Sequence, residues 1–507
     1  MHERDSIRRV SGRDGRSVAT RIFLTVWLVF ALHFASNVVR ESYLAISLGD
    51  RFSIRVDEYL GLHPDLFEIE GRGVFINSNP GASMLGAIPY ALARPAIGAI
   101  LRSRPDLTAA KPPTTYDDPR PNRTNFLNEA RRRGLDVKLG LAAASMQVGL
   151  MAPAGALAAA VLFMFLYRRT GDSRTALAFA LLYAFGTPIF FRSAFLNQNA
   201  LIAHLVLFAY VMMAWPDGAQ SKMVSDGLRL AIAGALMGLA LLCDYSAIPL
   251  LAVFAAWSAG RGWKEGGSLR SSMASAAAFA LGAAGPVALL LAYQWYAFGN
   301  PLYPAQHYMP ETPFSGSGWN GISLPVPELM WRNLLDPRYG LFVFCPMLLL
   351  AFMAPFVRRR PGDPSAIELA VIFAGFTGLY LFSSGNNYAF LQWNTGVRYL
   401  VPAVPLLFVA LVPVLQRLRA SIALVVAILT VAISWSVAMV REDVPTSIAH
   451  VFLSGFELPW LTVLRKTAFA YAPFLQHGVS PLAVFCLAGA LIWVIWRKAG
   501  RAETTLR

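Results

Sequence analysis

Two adjacent carboxylates, Asp57 and Glu58, stand in the stretch Arg55–Val56–Asp57–Glu58–Tyr59. Such a pair can take the proton of an attacking hydroxyl while an activated sugar departs, or it can bind a divalent metal. A solvated or salt-bridged loop pair accounts for the same dipeptide without chemistry. Further on, Gly71, Gly73, Asn77, Asn79, Pro80 and Gly81 form a turn-rich segment. Its backbone N–H groups can approach an anionic headgroup, and equally the asparagines can cap a helix entered at Pro80.

Cations suited to a phosphate recur later in the chain. Arg192 follows Gly186–Thr187–Pro188, Arg338 lies in Asp336–Pro337–Arg338–Tyr339–Gly340, and Arg398 sits in Trp393–Asn394–Thr395–Gly396–Val397–Arg398–Tyr399. A guanidinium can grip a phosphate through two nitrogens, whereas snorkelling to lipid headgroups is its ordinary role near a membrane surface. Trp393 and Tyr399 can cover the apolar face of a sugar, or serve as an interfacial belt. His307, in Gln306–His307–Tyr308, is a further candidate substrate contact. His204 and Asp244 stand within or beside apolar runs, where a polar group faces a cavity or bonds to a neighbouring helix.

The surrounding composition says what must position these groups. Of 507 residues 56% are hydrophobic and only 14% charged, where a soluble domain carries roughly a quarter charged residues. With a mean hydropathy of +0.49, the chain reads as an all-α polytopic membrane protein. The net charge of +15 is spread in small clusters rather than one patch, which argues against nucleic acid as a partner. The three cysteines, Cys243, Cys345 and Cys486, sit apart in apolar runs and read as buried hydrophobes. Scattered histidines and the lack of a His-Glu-x-x-His or Walker pattern remove the common zinc-hydrolase and nucleotide-binding classes.

Twelve spans are expected near 22–39, 139–167, 174–190, 198–215, 227–242, 245–260, 272–295, 339–357, 367–384, 399–416, 420–439 and 479–497. The first follows a basic head and shows no small-residue cleavage site, so residues 1–21 are expected in the cytoplasm, as is the tail 498–507. Twelve crossings place Arg168–Arg169, the stretch Arg261 to Arg270, Arg358–Arg360, Arg417 and Arg419 on that same side. Segment 82–100 is therefore read as an interfacial or re-entrant helix within a first outer loop, 40–138. Further outer loops are expected at 296–338, 385–398 and 440–478, all belonging to one membrane domain, 22–497.

In the order of its motifs the chain resembles membrane glycosyltransferases of the GT-C superfamily, in the group that includes protein O-mannosyltransferases and aminoarabinose transferases. The resemblance lies in Asp57–Glu58–Tyr59, the Gly73 to Gly81 turn, Asn300–Pro301–Leu302–Tyr303 with Gly340–Leu341–Phe342, and Trp393 through Pro402. It implies transfer of a sugar from a polyprenyl-phosphate carrier to a glycan, lipid or protein acceptor on the outer face of a bacterial cytoplasmic membrane. Asp57 matches the acidic residue that acts as base, with Glu58 as its partner or as a contact to a divalent metal. Where several relatives have lysine before the proline, this chain has Asn79, so Arg192, Arg338 or Arg398 would neutralise the carrier phosphate. A flippase for a lipid-linked glycan and a non-catalytic envelope scaffold are the rival readings.

Overall fold

The computed structural model describes residues 2–36, 38–114, 123–215, 226–392, 396–467 and 480–497. Its helices in chain order begin with α1 His2–Leu32, α2 Arg40–Arg51, α3 Gly81–Ser103 and α4 Arg123–Arg132. Next come α5 Asp136–Met146 and α6 Ala152–Thr170, joined by a π turn into one rod, then α7 Ser173–Gly186, α8 Ile189–Arg192 and α9 Gln198–Ala214. The middle of the chain forms α10 Asp226–Cys243, α11 Ile248–Gly266, α12 Leu269–Phe298, α13 Pro327–Leu335, α14 Leu341–Phe344 and α15 Ala366–Gly385. The last are α16 Val404–Leu415, α17 Ala420–Val440, α18 Val444–Ser454, α19 Pro459–Thr467 and α20 Pro481–Arg497. Between α2 and α3 lies an antiparallel hairpin, β1 Leu66–Ile69 with β2 Gly73–Ile76, the only β-sheet among the described residues.

By length and apolarity seven helices of the described residues suffice to cross a membrane, or eight if α18 and α19, bent by 67°, make one span. Twelve full spans are not found. The expected spans at 198–215 and 479–497 are apolar helices of 17 residues each, and 399–416 yields only the 12-residue α16. Span 339–357 is broken: α14 ends after four residues and Pro346 opens a 3-10 stretch to Phe356. Proline removes an amide donor and crowds the preceding turn, which weakens a helix at that point, and here the run gives way at Pro346. Thr187–Pro188 ends α7 in the same way. The segment 82–100, read from sequence as interfacial or re-entrant, is one unbroken 23-residue helix that itself meets the length and composition of a span. The α5–α6 rod covers 35 residues, about 52 Å at 1.5 Å per residue, and so outruns a hydrocarbon core of about 30 Å.

Small residues set the closest helix crossing. On α10, Gly234 and Gly238 face α12, where a Cβ on Gly234 would meet the carbonyl oxygen of Phe279 and one on Gly238 would approach that of Ala283. Gly282 on α12 answers against the Ala231 carbonyl. Small residues four apart let two backbones touch, which is how helices gain packing energy where lipid is as apolar as leucine. Gly234→Ala is expected to force α10 and α12 apart and cost about 1–3 kcal/mol, read as a lowered midpoint of thermal unfolding in detergent.

The segment from α2 to α5 is tied together through Asp50 at the end of α2. Its carboxylate accepts hydrogen bonds from Tyr90 Oη of α3 at 2.9 Å and Lys138 Nζ of α5 at 2.8 Å, with Arg94 Nε 3.5 Å away. At the other end of the same helix stands Arg40. Three helices are thereby held in register before any site is formed.

Candidate active site

A cavity of about 1340 Å³ opens between α2, the residues flanking the hairpin, α4, α5, α19 and the segments around 244, 302–322, 386–391 and 398–399. Its charged end follows from the hairpin register. Leu66 pairs with Ile76, so Asp65 and Asn77 stand opposite each other just beyond the strands. Asn77 N donates to the Asp65 carbonyl at 3.1 Å and its Nδ2 donates to Asp65 Oδ1 at 3.0 Å. The other carboxylate oxygen receives Arg40 Nη1 at 2.5 Å, while Arg40 Nε donates to the buried Glu41 carboxylate at 2.9 Å. One guanidinium thus serves two acids. Gln306 Nε2 donates to the Asn77 carbonyl at 2.8 Å, which fastens the loop after α12 to the end of the hairpin.

The electrostatics follow from these contacts. Burial disfavours the ionised Asp65 carboxyl, yet the charge and hydrogen bond of Arg40, helped by His63 and Arg398, hold it down to about 2. His63 lies below its ordinary value, chiefly through burial, with Arg40 and Arg398 opposing the pull of Asp65 and Glu41. Its Nδ1 accepts the Asp65 backbone N–H at 3.1 Å, which places the proton of the neutral ring on Nε2.

Tyr399 joins the two sides of this end. It lines the cavity, lies under the Arg398 guanidinium at 5.2 Å from ring centroid to Cζ, and is within electrostatic reach of Arg398, Asp244, Arg40 and Asp65. Asp244 also lines the cavity, and its Oδ1 accepts the Ser246 N–H at 2.8 Å, capping the turn that leads into α11.

Of the residues singled out from sequence, Asn77, Asn79, Asp244, Arg398 and Tyr399 reach the cavity wall. Asn79 caps the end of α10 as well, donating to the Leu241 carbonyl at 2.9 Å. Asp57 and Glu58 do not line it. Asp57 Oδ1 accepts the Val74 N–H of β2 at 2.8 Å and Oδ2 pairs with Arg55 Nε at 2.9 Å, so this acid braces the hairpin from outside. Glu58 pairs at 3.5 Å with Arg51 on the surface. Arg338 is equally remote, more than half exposed and 3.5 Å from Asp336. Of Asp57, Arg338 and Arg398, only Arg398 lines this cavity.

Arg192 is buried beside the cavity rather than on its wall, and shares the ring of Phe195 with Arg441 at 5.5 and 5.1 Å. Burial and the nearby charge of Arg398 both work against its charged form. His307 stacks on Tyr303 at 4.4 Å and bonds through Nδ1 to Asn320 Oδ1 at 3.0 Å, touching the cavity only through that partner. Trp393 lies outside the described residues. Among the described residues no three His, Cys, Asp or Glu side chains converge as a metal site.

Arg40, His63, Asp65 and Gln306 were not singled out from sequence. The signal for Asp65 was present: two short apolar runs around Glu70–Gly71–Arg72 are a hairpin pattern, and pairing them puts Asp65 opposite Asn77.

No family profile matches the chain, and no curated protein does. Among solved structures it is similar to ArnT from Cupriavidus metallidurans in the apo state, at 15% identity and a TM-score of 0.46, over 96% of this chain and 76% of that one. It is similar also to the same protein bound to undecaprenyl phosphate, again at 15% identity and 0.46, over 94% and 75% of the two chains.

Proposed function

We propose that the chain transfers a sugar from a polyprenyl-phosphate carrier to an envelope glycan, lipid or protein acceptor, on the outer face of the bacterial cytoplasmic membrane. The observation that carries this reading is the cavity: one apolar-walled space with two arginines, two acids and a tyrosine gathered at a single end. At about 1340 Å³ it exceeds the roughly 300–1,000 Å³ of an ordinary small-molecule pocket, which suits two substrates meeting. The order of sequence motifs shared with GT-C transferases supports the same class.

In this reading Arg398 faces the carrier phosphate, and Arg40 holds Asp65 ionised as a fixed acceptor that orients hydroxyls. Asp244 takes the place proposed from sequence for Asp57. Its carboxylate removes the acceptor hydroxyl proton as the new glycosidic bond forms, and the bond from the anomeric carbon to the phosphate oxygen breaks, releasing polyprenyl phosphate. A single displacement inverts the anomeric centre. Should the reaction use a divalent ion, Asp65 and Asp244, of the three aspartates that line the cavity, stand at the Arg398 end where it would act.

The test is purified protein in lipid nanodiscs with radiolabelled polyprenyl-phosphate sugars, beginning with undecaprenyl carriers, with and without chelator. Release of the free carrier with label on an acceptor supports transfer. Movement of unchanged carrier across a vesicle membrane would mark a flippase instead, and neither outcome would leave a scaffold.

A further inference from the structure

We propose that the mouth of the cavity holds a subsite for an uncharged saccharide, built on Trp319 and Asn320, so that the acceptor is a glycan; this rests on the glycosyl-transfer reading. Both residues line the cavity and come from a tight turn in which Gly318, Asn320 and Gly321 all have positive φ, at 61°, 51° and 86°. Asparagine tolerates that region, and the glycines are needed: a Cβ on Gly321 would run into the ring of Tyr388. The turn is closed by paired Trp319 and Ile322 backbone bonds at 2.8 and 3.0 Å. Asn387 fastens it from the neighbouring loop, donating both its backbone N–H and its Nδ2 to the Gly321 carbonyl at 2.9 and 3.1 Å. These bonds fix the backbone of the turn that carries Trp319 and Asn320.

What the turn presents is neutral. Trp319 remains 55% exposed, a large flat apolar ring left open on the cavity wall. Asn320 is oriented by His307 through its Oδ1, while its Nδ2 has no protein partner. Tyr388, which lines the same cavity and packs against Gly321, carries a hydroxyl whose hydrogen-bonding capacity the protein does not meet. Unmet capacity of that kind costs free energy unless a ligand or water supplies the partner. A sugar offers what these groups lack: an apolar C–H face for the indole and a rim of hydroxyls that donate and accept toward amides and hydroxyls. An anionic acceptor would want cations at this turn, and none of Trp319, Asn320 and Tyr388 is charged. His307 acts through Asn320 and is a positioning residue.

The test titrates the full-length protein in nanodiscs, without donor, with mannotriose, maltotriose, chitotriose, trigalacturonate and a Ser/Thr peptide, using saturation-transfer NMR. At least one neutral trisaccharide is expected to bind saturably, with affinity about tenfold weaker in Trp319→Ala and largely recovered in Trp319→Phe, as for a central aromatic contact. Arg398→Gln should leave that affinity unchanged. The subsite is overturned if no neutral trisaccharide binds, if Trp319→Ala binds as tightly as the parent, if Arg398→Gln weakens binding as much, or if trigalacturonate or the peptide is preferred. Because no donor is present, trisaccharide binding at Trp319 in a protein that turns over no polyprenyl-phosphate sugar would refute transfer and keep the subsite. Turnover without such binding would do the reverse.

Discussion

Asp244→Asn is expected to lower sugar transfer roughly 10²–10⁴-fold, the contribution of a well-placed general base, while carrier binding stays near that of the parent. The substitution isolates the proton-accepting role. An asparagine side chain has the same shape, and its amide oxygen can still accept the Ser246 N–H that Asp244 accepts at 2.8 Å, so the turn into α11 keeps its cap. Only the negative charge and the second acceptor oxygen are lost. Asp57→Asn is the matched control. There the amide oxygen can still take the Val74 N–H, and the lost partner is the half-exposed Arg55. Pairs of that exposure contribute at most about 1 kcal/mol, so transfer should stay within about twofold. Initial rates with a labelled carrier, at saturating and limiting acceptor, measure both. A dead Asp57→Asn enzyme beside an active Asp244→Asn one would return the base to the position read from sequence and remove it from this cavity.

That reversal of roles shows what a linear reading can and cannot reach. Apolar runs alone are enough for the membrane class, since the cost of unsatisfied backbone groups in lipid leaves helices as the economical solution. Their count is less legible. Pro346 and Thr187–Pro188 interrupt runs that hydropathy treats as continuous, whereas α3 continues through Pro89 and Pro95. Arg398, Tyr399, Asn79 and Asp244 could be found because an isolated polar residue next to an apolar run invites a reason. What the dipeptide Asp57–Glu58 does not display in sequence is its partners: Arg55 and Val74 engage Asp57, and Arg51 pairs with Glu58. The partners that make the charged end are distant in sequence: Arg40 and Asp65 are 25 positions apart, and Gln306 and Asn77 are 229 apart. No local pattern encodes such pairs. They arise from strand register and from where a loop returns.

Arg40→Met should be the most damaging single change to this end of the fold, costing about 3–5 kcal/mol as it strands two acids that one guanidinium now serves. Glu41 is almost wholly buried and Asp65 three-quarters buried, so water can replace little of what the arginine supplies. The loss should appear as a lower unfolding midpoint and as collapse of transfer, because Asp65 would no longer be held ionised against Asn77. Arg40→Lys keeps a charge but not the fork, and should recover only part of either. Combining Arg40→Met with Asp65→Asn and Glu41→Gln removes the stranded charges and should restore much of the stability without the activity, which separates folding from function. The sign with pH follows from Asp65, whose carboxyl falls from 3.8 to about 2 on folding. A group depressed in the folded state contributes its full share above its unfolded value and loses it as pH drops through the folded one. The parent should therefore keep this contribution down to about pH 4 and shed it between there and about pH 2, whereas the triple variant should show no such step. A parent whose stability declined equally with and without these three groups would mean that the Arg40 cluster does not hold the hairpin to α2.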